Sequence, residues 1–220
     1  MERTLFILKP DAVMRRYVGA KVFERILNEN ISILSFNEIM ISRDFAEIHY
    51  AEHKGKFFYN WLLDYITLSP VVVSILEDDN VVERIRQMLG KTLAHLADPN
   101  SIRGKYGIWG GVNVAHASDS IKTAERECEL WINEFNIELN KENGEQLAKE
   151  YIKRWNKNVI DYSLEIRQVC RDFSNNAITE SKAKALINEL LYKNVDNEFS
   201  DKASKLTDII IENVKFDKKK

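Results

Sequence analysis

Apolar residues in the first 135 positions follow two patterns. The runs RTLFIL (3–8) and SPVVVSIL (69–76) are short, continuous and rich in β-branched residues, and charged or turn residues end them. Both read as buried strands. NISILSFNEIMIS (30–42) mixes alternation with continuous apolar character and predicts one longer strand. In GAKVFERILNEN (19–30), Val22, Phe23, Ile26 and Leu27 fall at helical spacing. NVVERIRQMLG (80–90) repeats the pattern with Val81, Val82, Ile85, Met88 and Leu89, and Gly90 closes it as a C-cap. SIKTAERECELW (120–131) is a further helix, with Asp119 and Ser120 near its N-cap. Strands and helices alternate irregularly and some helices come in pairs. The order predicts an α+β sandwich, with helices on one face of a mostly antiparallel sheet.

The pattern changes after residue 135. All three prolines, all four histidines and seven of the eight glycines precede it, and Gly144 is the one glycine that follows. A stretch without such punctuation tends to be helical. NIELNKENGE (136–145) is polar and reads as a linker between a domain at 1–135 and a helical extension at 146–220. Four amphipathic stripes follow. The first is Leu147, Tyr151, Trp155 and Val159, and the second Ile166, Val169, Cys170 and Phe173. The third, Leu186, Ile187, Leu190 and Leu191, follows a Thr179 N-cap; the fourth, Leu206, Ile209 and Ile210, follows Ser200 and Asp201. Each stripe has to be covered, by its neighbours, by the first domain or by another subunit.

Composition narrows the function classes. Of 220 residues, 45% are apolar and 30% charged, with a formal net charge of −2. That balance builds a globular core and gives no bulk attraction for nucleic acid or an anionic membrane. The N-terminal run LFIL is too short, and too closely flanked by charge, for a signal peptide, and no stretch is long enough to span a bilayer. Cys128 and Cys170 are far apart and form no CxxC, as expected of a cytoplasmic protein in a reducing compartment.

Two short motifs point to chemistry and fail on context. HYAEH (49–53) fits H-x-x-E-H, the inverted zinc-peptidase pattern, but such patterns arise readily in a charged helix. LGKT (89–92) resembles the end of a phosphate loop, yet Ile85 stands where the first glycine belongs, and the motif follows a helix rather than a strand.

A wider constellation carries more. KPDAV (9–13), the HY…FF pair, RQMLGKT, SIRG and NVAHASDS followed by E-x-x-LW occur in one order along residues 2–135. Together they resemble the nucleoside diphosphate kinases. The resemblance implies a ferredoxin-like sandwich, a four-stranded antiparallel sheet with helices, joined here to an all-α C-terminal extension. It also implies reversible γ-phosphoryl transfer between nucleoside triphosphates and diphosphates, by a ping-pong mechanism through a phosphohistidine on His116. An imidazole suits that role, because its ordinary pKa of about 6.5 leaves it largely neutral and nucleophilic near pH 7.

By the same matching, Glu127 and Ser118 orient and polarise the imidazole, and Tyr50 sits beside the phosphoryl path. Arg86, Arg103 and Thr92 hold phosphates, Lys9 and Asn113 contact ribose hydroxyls and phosphates, and Phe58 stacks on the base. Mg²⁺ rides on the nucleotide, with Asp119 assisting through water. The resemblance further implies a homo-oligomer, a hexamer or tetramer. Gly110 and Val112 depart from the family pattern, in which a bulkier apolar residue stands near the base slot and a basic residue precedes Asn113. The loop 92–102 lacks a proline after its threonine. No family is recognised in residues 146–220, which leave room for a protein partner. The alternative reading is a catalytically silent, kinase-like scaffold working through that tail.

Overall fold

The computed structural model describes residues 1–157 and 159–218. Its elements run β1 (Glu2–Leu8), α1 (Pro10–Met14), α2 (Arg16–Asn28), β2 (Ser32–Ile33), β3 (Asn37–Ile39), α3 (Arg43–His49), α4 (Tyr59–Ile66), β4 (Val71–Asp78), α5 (Val81–Leu89), α6 (Ile102–Tyr106), β5 (Ala115–Ala117) and α7 (Ile121–Phe135). The extension adds α8 (Lys141–Trp155), α9 (Ser163–Ser174), α10 (Glu180–Asn194) and α11 (Ala203–Lys218).

The sheet is open and antiparallel, in the order β2-β4-β1-β5, and β3 pairs with β4 beyond β2. The single strand expected over 30–42 is therefore two pieces of one broken edge strand. Ile33 pairs with Leu76, whereas Asn37 pairs with Val73, so the edge carries one extra residue. This is a bulge, and the Ser35 hydroxyl repairs it by accepting the Ile75 N–H at 3.0 Å. Thr4 to Leu8 and Val71 to Leu76 are buried without interruption, so both faces of the central strands are covered rather than one. Phe6 meets Phe23 of α2 edge-on at 5.7 Å. Ser42, Ser101 and Ser120 cap α3, α6 and α7, each accepting a backbone N–H three residues on.

The extension packs on the first domain. α8 begins at Lys141, capped by Asn140, so half of the stretch read as a linker is its first turn. Gly144 is required there, because a Cβ would lie 2.4 Å from the Ile33 carbonyl oxygen at the edge of the sheet. Val159 lies past the end of α8 and is exposed, so the first stripe is shorter than its spacing suggested. Thr179 caps α10 as expected, and the stripes of α9, α10 and α11 bury Ile166, Cys170, Ile187, Leu191, Leu206 and Ile210. Burial of each leucine or isoleucine among them stabilises the fold by about 1.5–3 kcal/mol.

Polar contacts fix the docking. Arg15, fully buried, pairs with Asp11 at 3.1 Å and donates to the Ser163 hydroxyl at the start of α9 at 2.6 Å. Arg167 of α9 donates to the Gly104 carbonyl at 2.9 Å. Trp61 of α4 donates its indole N–H to the Ile209 carbonyl of α11 at 2.9 Å. Among the described residues no helix is long and apolar enough to cross a membrane.

Candidate active site

A cleft of about 660 Å³ opens beside the C-terminal end of β1, between α4, the loop 90–113 and β5. Ten of the sequence-predicted site residues line it: Lys9, Tyr50, Phe58, Arg86, Thr92, Arg103, Asn113, His116, Asp119 and Glu127. Ser118 lies behind them, fully buried and bonded to Glu127.

His116 stands on β5, opposite Ile7 of β1. The chain enters β5 through a three-residue turn in which the Ala115 N–H reaches the Asn113 carbonyl at 2.9 Å. Val114, at its centre, has φ of 77°, a conformation a β-branched residue rarely adopts. The Lys9 N–H bonds the Val114 carbonyl at 2.8 Å, tying this strained turn to the end of β1.

α7 brings Glu127 underneath the histidine. His116 Nε2 lies 2.9 Å from Glu127 Oε2, and the Ser118 hydroxyl donates to the same oxygen at 2.7 Å. Burial alone would raise the Glu127 pKa. The hydrogen bond and charge of His116, then His49 and the Ser118 hydroxyl, outweigh it and bring the group down to about 2. An ionised carboxylate has no proton to donate, so Nε2 carries the hydrogen, and in the neutral tautomer of the imidazole the lone pair falls to Nδ1. Among the described residues Nδ1 makes no hydrogen bond.

Lys9, Arg86, Lys91 and Arg103 line the cleft, and three of these cations belong to the predicted set. Lys9 is buried and donates to Asn113 Oδ1 at 2.8 Å, while Asn113 Nδ2 donates to the Thr92 carbonyl at 2.7 Å. Burial, followed by the charge of Arg103, brings the Lys9 pKa down to about 7. Arg103 is held by the carbonyls of Gly90, at 3.0 Å, and Ala115, at 2.9 Å, and its Nε is buried without a partner. Burial, then the charge of Arg86, lowers its pKa to about 10. Arg86 is exposed on α5 and forms no ion pair among the described residues. Burial raises the Tyr50 pKa, and the charge of Glu127 adds to the rise; its hydroxyl is buried without a partner. A bound polyanion would relieve the cations and the orphaned donors together.

The sequence reading placed His49 in the motifs HYAEH and HY…FF but gave it no role in the site. The structure separates that motif: His49 ends α3 and is buried, whereas His53 lies on a short 3-10 turn at 51–53. His49 accepts the Trp131 indole N–H at 3.2 Å and sets its ring edge-on to His116, with centroids 5.0 Å apart. Burial, then the His116 charge, takes its pKa down to about 3, so it is neutral at physiological pH. Ligand atoms of His49, His116 and Glu127 lie within 4.8 Å of one another. Glu127 already accepts from His116 and Ser118, whereas His49 Nε2 is buried without a partner.

Sequence reasoning also missed the far wall of the cleft. Asn213 and Phe216 of α11 line it, together with Phe57 and Trp61. Nothing in the tail's hydrophobic pattern singled these two residues out.

Comparison with known proteins gives the family of the first domain. The profile of the family described as Nucleoside diphosphate kinase matches residues 2–137. A nucleoside diphosphate kinase of Staphylococcus aureus (strain JH9) is 42% identical over 137 residues, which is 62% of this chain and 91% of that relative. The Halobacterium salinarum nucleoside diphosphate kinase, solved in complex with CDP, superposes with a TM-score of 0.59 at 33% identity, over 62% of this chain and 90% of that one. The Aquifex aeolicus enzyme gives 0.56 at 32% identity, over 59% and 94%. Residues 138–220 lie outside the profile match. Over its first 137 residues, which carry the whole of the His116 relay and its cations, the chain belongs to the nucleoside diphosphate kinase family of phosphotransferases.

Proposed function

We propose that the protein transfers the γ-phosphoryl group of a nucleoside triphosphate to a nucleoside diphosphate by a ping-pong mechanism on His116. The observation that carries this reading is the relay of Ser118, Glu127 and His116, whose unengaged ring nitrogen belongs to a cleft lined by Lys9, Arg86 and Arg103. Nδ1 attacks the γ-phosphorus, and the N–P bond forms as the bond to the β–γ bridging oxygen breaks. The nucleoside diphosphate leaves with that electron pair. Positive charge builds on the imidazole as the bond forms, and Glu127, 2.9 Å from Nε2, stabilises it. In the second half a terminal oxygen of another nucleoside diphosphate attacks the phosphorus, and the N–P electrons return to the ring.

The remaining groups position the substrate. Arg86, Arg103 and Thr92 take the phosphates, Lys9 and Asn113 the ribose and phosphates, and Phe58 stacks on the base through a π-face that every nucleobase offers. Tyr50 lies beside the path, its ring edge-on to His116 at 6.3 Å. The cleft pairs buried cations with exposed carboxylates such as Asp119 and Glu52, rather than with a buried acidic cage. That donor set fits a divalent cation, which we take to be Mg²⁺, brought in on the nucleotide and held by Asp119 through water. When bound, the ion neutralises charge on the phosphates. The buried free thiols of Cys128 and Cys170 suit a reducing cytoplasm.

The test is brief incubation with γ-labelled ATP and Mg²⁺, followed by GDP, on the wild type and on His116→Ala. Acid-labile label on the wild type alone, discharged into GTP, is expected. Absence of label from folded, nucleotide-binding protein would overturn the proposal.

A further inference from the structure

The extension meets the cleft at one element, α11. Gly110, which replaces a bulkier apolar residue of the family pattern, has φ of 50°, and a Cβ built on it would lie 2.2 Å from Asn213 Oδ1. Asn213 therefore fills the space that a side chain at 110 would occupy. Its Oδ1 accepts the Gly111 N–H at 2.9 Å, which fixes the amide orientation and leaves Nδ2 as a donor without a partner among the described residues. Asn213 is 7% exposed, and it is part of the cleft lining.

One turn further on, Phe216 meets Phe57 edge-on at 5.3 Å and Trp61 at 5.8 Å. Phe57 in turn meets Phe58 at 5.3 Å. A series of rings thus runs from His116 through Tyr50, His53, Phe58 and Phe57 to Phe216. It places α11 at the end of the cleft away from the phosphoryl-transfer centre. A solvent-facing tail helix would have no use for a buried asparagine bonded to the backbone beside a glycine that makes room for it.

We propose that α11 is a working wall of the nucleoside end of the cleft, with Asn213 Nδ2 donating to an acceptor on the nucleoside and Phe216 backing the apolar surface on which the base lies. The inference rests on the nucleotide-binding reading of the cleft above. The acceptor is either a carbonyl oxygen of the base or a ribose hydroxyl, and one experiment separates them. Dissociation constants are measured by calorimetry, with Mg²⁺, for GDP, ADP and 2′,3′-dideoxy-GDP. The full-length proteins compared are the wild type, Asn213→Ala, Asn213→Asp, Phe216→Ala and Lys205→Ala, the last on the exposed side of α11.

Asn213→Asp keeps the side-chain volume and the bond to the Gly111 N–H while removing the donor; because it also adds a negative charge, only its differences between ligands are read, and an equal loss for all three counts against the contact. The Asn213 and Phe216 variants are expected to weaken GDP binding about threefold to tenfold, and Lys205→Ala to leave it unchanged. A loss at Asn213 shared by GDP and dideoxy-GDP but small for ADP assigns the base carbonyl. A loss for GDP and ADP that is absent from dideoxy-GDP assigns the ribose. Wild-type affinity of the Asn213 and Phe216 variants for all three ligands would overturn the proposal. Labelling of His116 in the wild type is scored separately, so failure of the phosphotransfer reading and failure of the wall give different results.

Discussion

Glu127 Oε2 lies 2.9 Å from His116 Nε2, and the same oxygen accepts the Ser118 hydroxyl at 2.7 Å. One carboxylate thus fixes the tautomer of the imidazole and, in the proposed mechanism, would face the charge that grows on it. Glu127→Gln keeps the shape and removes the charge. It is expected to slow phosphorylation of His116 about 100-fold in single-turnover quench experiments, the usual order for one preorganised electrostatic group. A rate within threefold of the wild type would show that Glu127 only fills space.

Lys9 should take up a proton when nucleotide binds. Its folded pKa, brought down to about 7 from an ordinary 10.5 by burial and by Arg103, leaves a large neutral fraction at pH 7.5. Phosphates entering beside it favour the ammonium form and raise that pKa again. The calorimetric enthalpy of GDP binding at pH 7.5 should therefore depend on buffer ionisation enthalpy, in the direction of proton uptake. That dependence should largely vanish in Lys9→Met.

Acid should destabilise the fold from about pH 6.5 downward, through His49. Its folded pKa is about 3 against an ordinary 6.5, so between these values the unfolded chain binds a proton that the folded chain refuses. The free energy of unfolding then falls as the pH drops, with a slope of up to about 1.4 kcal/mol per pH unit. Glu127 acts with the same sign lower down, its contribution being lost from 4.5 toward about 2. Urea titrations of His49→Gln between pH 7 and 5 should show a flatter pH dependence than the wild type. An unchanged slope would remove His49 as its source.

Gly144→Ala should destabilise the protein even though alanine is the better helix former. The helix preference favours alanine by about 1 kcal/mol. Against it, the new methyl would lie 2.4 Å from the Ile33 carbonyl and 2.8 Å from Leu34 backbone carbon, atoms that cannot swing aside. A net loss of about 1–3 kcal/mol, read from urea midpoints, is expected. A gain in stability would mean that α8 sits further from the sheet edge.

Arg15→Met should cost more, about 3–5 kcal/mol, because it leaves the fully buried Asp11 carboxyl without its ion-pair partner. The same change removes the donor to Ser163 that ties α9 to α1. Limited proteolysis should accordingly cut the extension first. Resistance equal to the wild type would show that the apolar stripes alone hold it.

The grouping of His116, Ser118 and Glu127 was legible because it is local in sequence. NVAHASDS and the glutamate at 127 sit on one strand–turn–helix unit, so their spacing already sets who meets whom. The runs 3–8 and 69–76 were legible as strands because continuous β-branched burial leaves few other structures open to them. The break in the edge strand was not, since it depends on the Ser35 hydroxyl finding the Ile75 N–H forty residues away. His49 was hidden for a similar reason: its environment, Trp131 and His116, comes from distant parts of the chain.

The amphipathic stripes determined that the tail is helical and that each helix buries one face, because a period of 3.6 is a property of neighbours along the chain. They could not determine against what. Asn213 and Gly111 stand 102 residues apart and share a hydrogen bond. Nothing in the spacing of either residue encodes the other. Only the closed tertiary structure, with the stripes of α9 to α11 buried and Arg15 satisfied, brings α11 to the cleft. A contact made by folding at long range exists in the packing and not in the pattern.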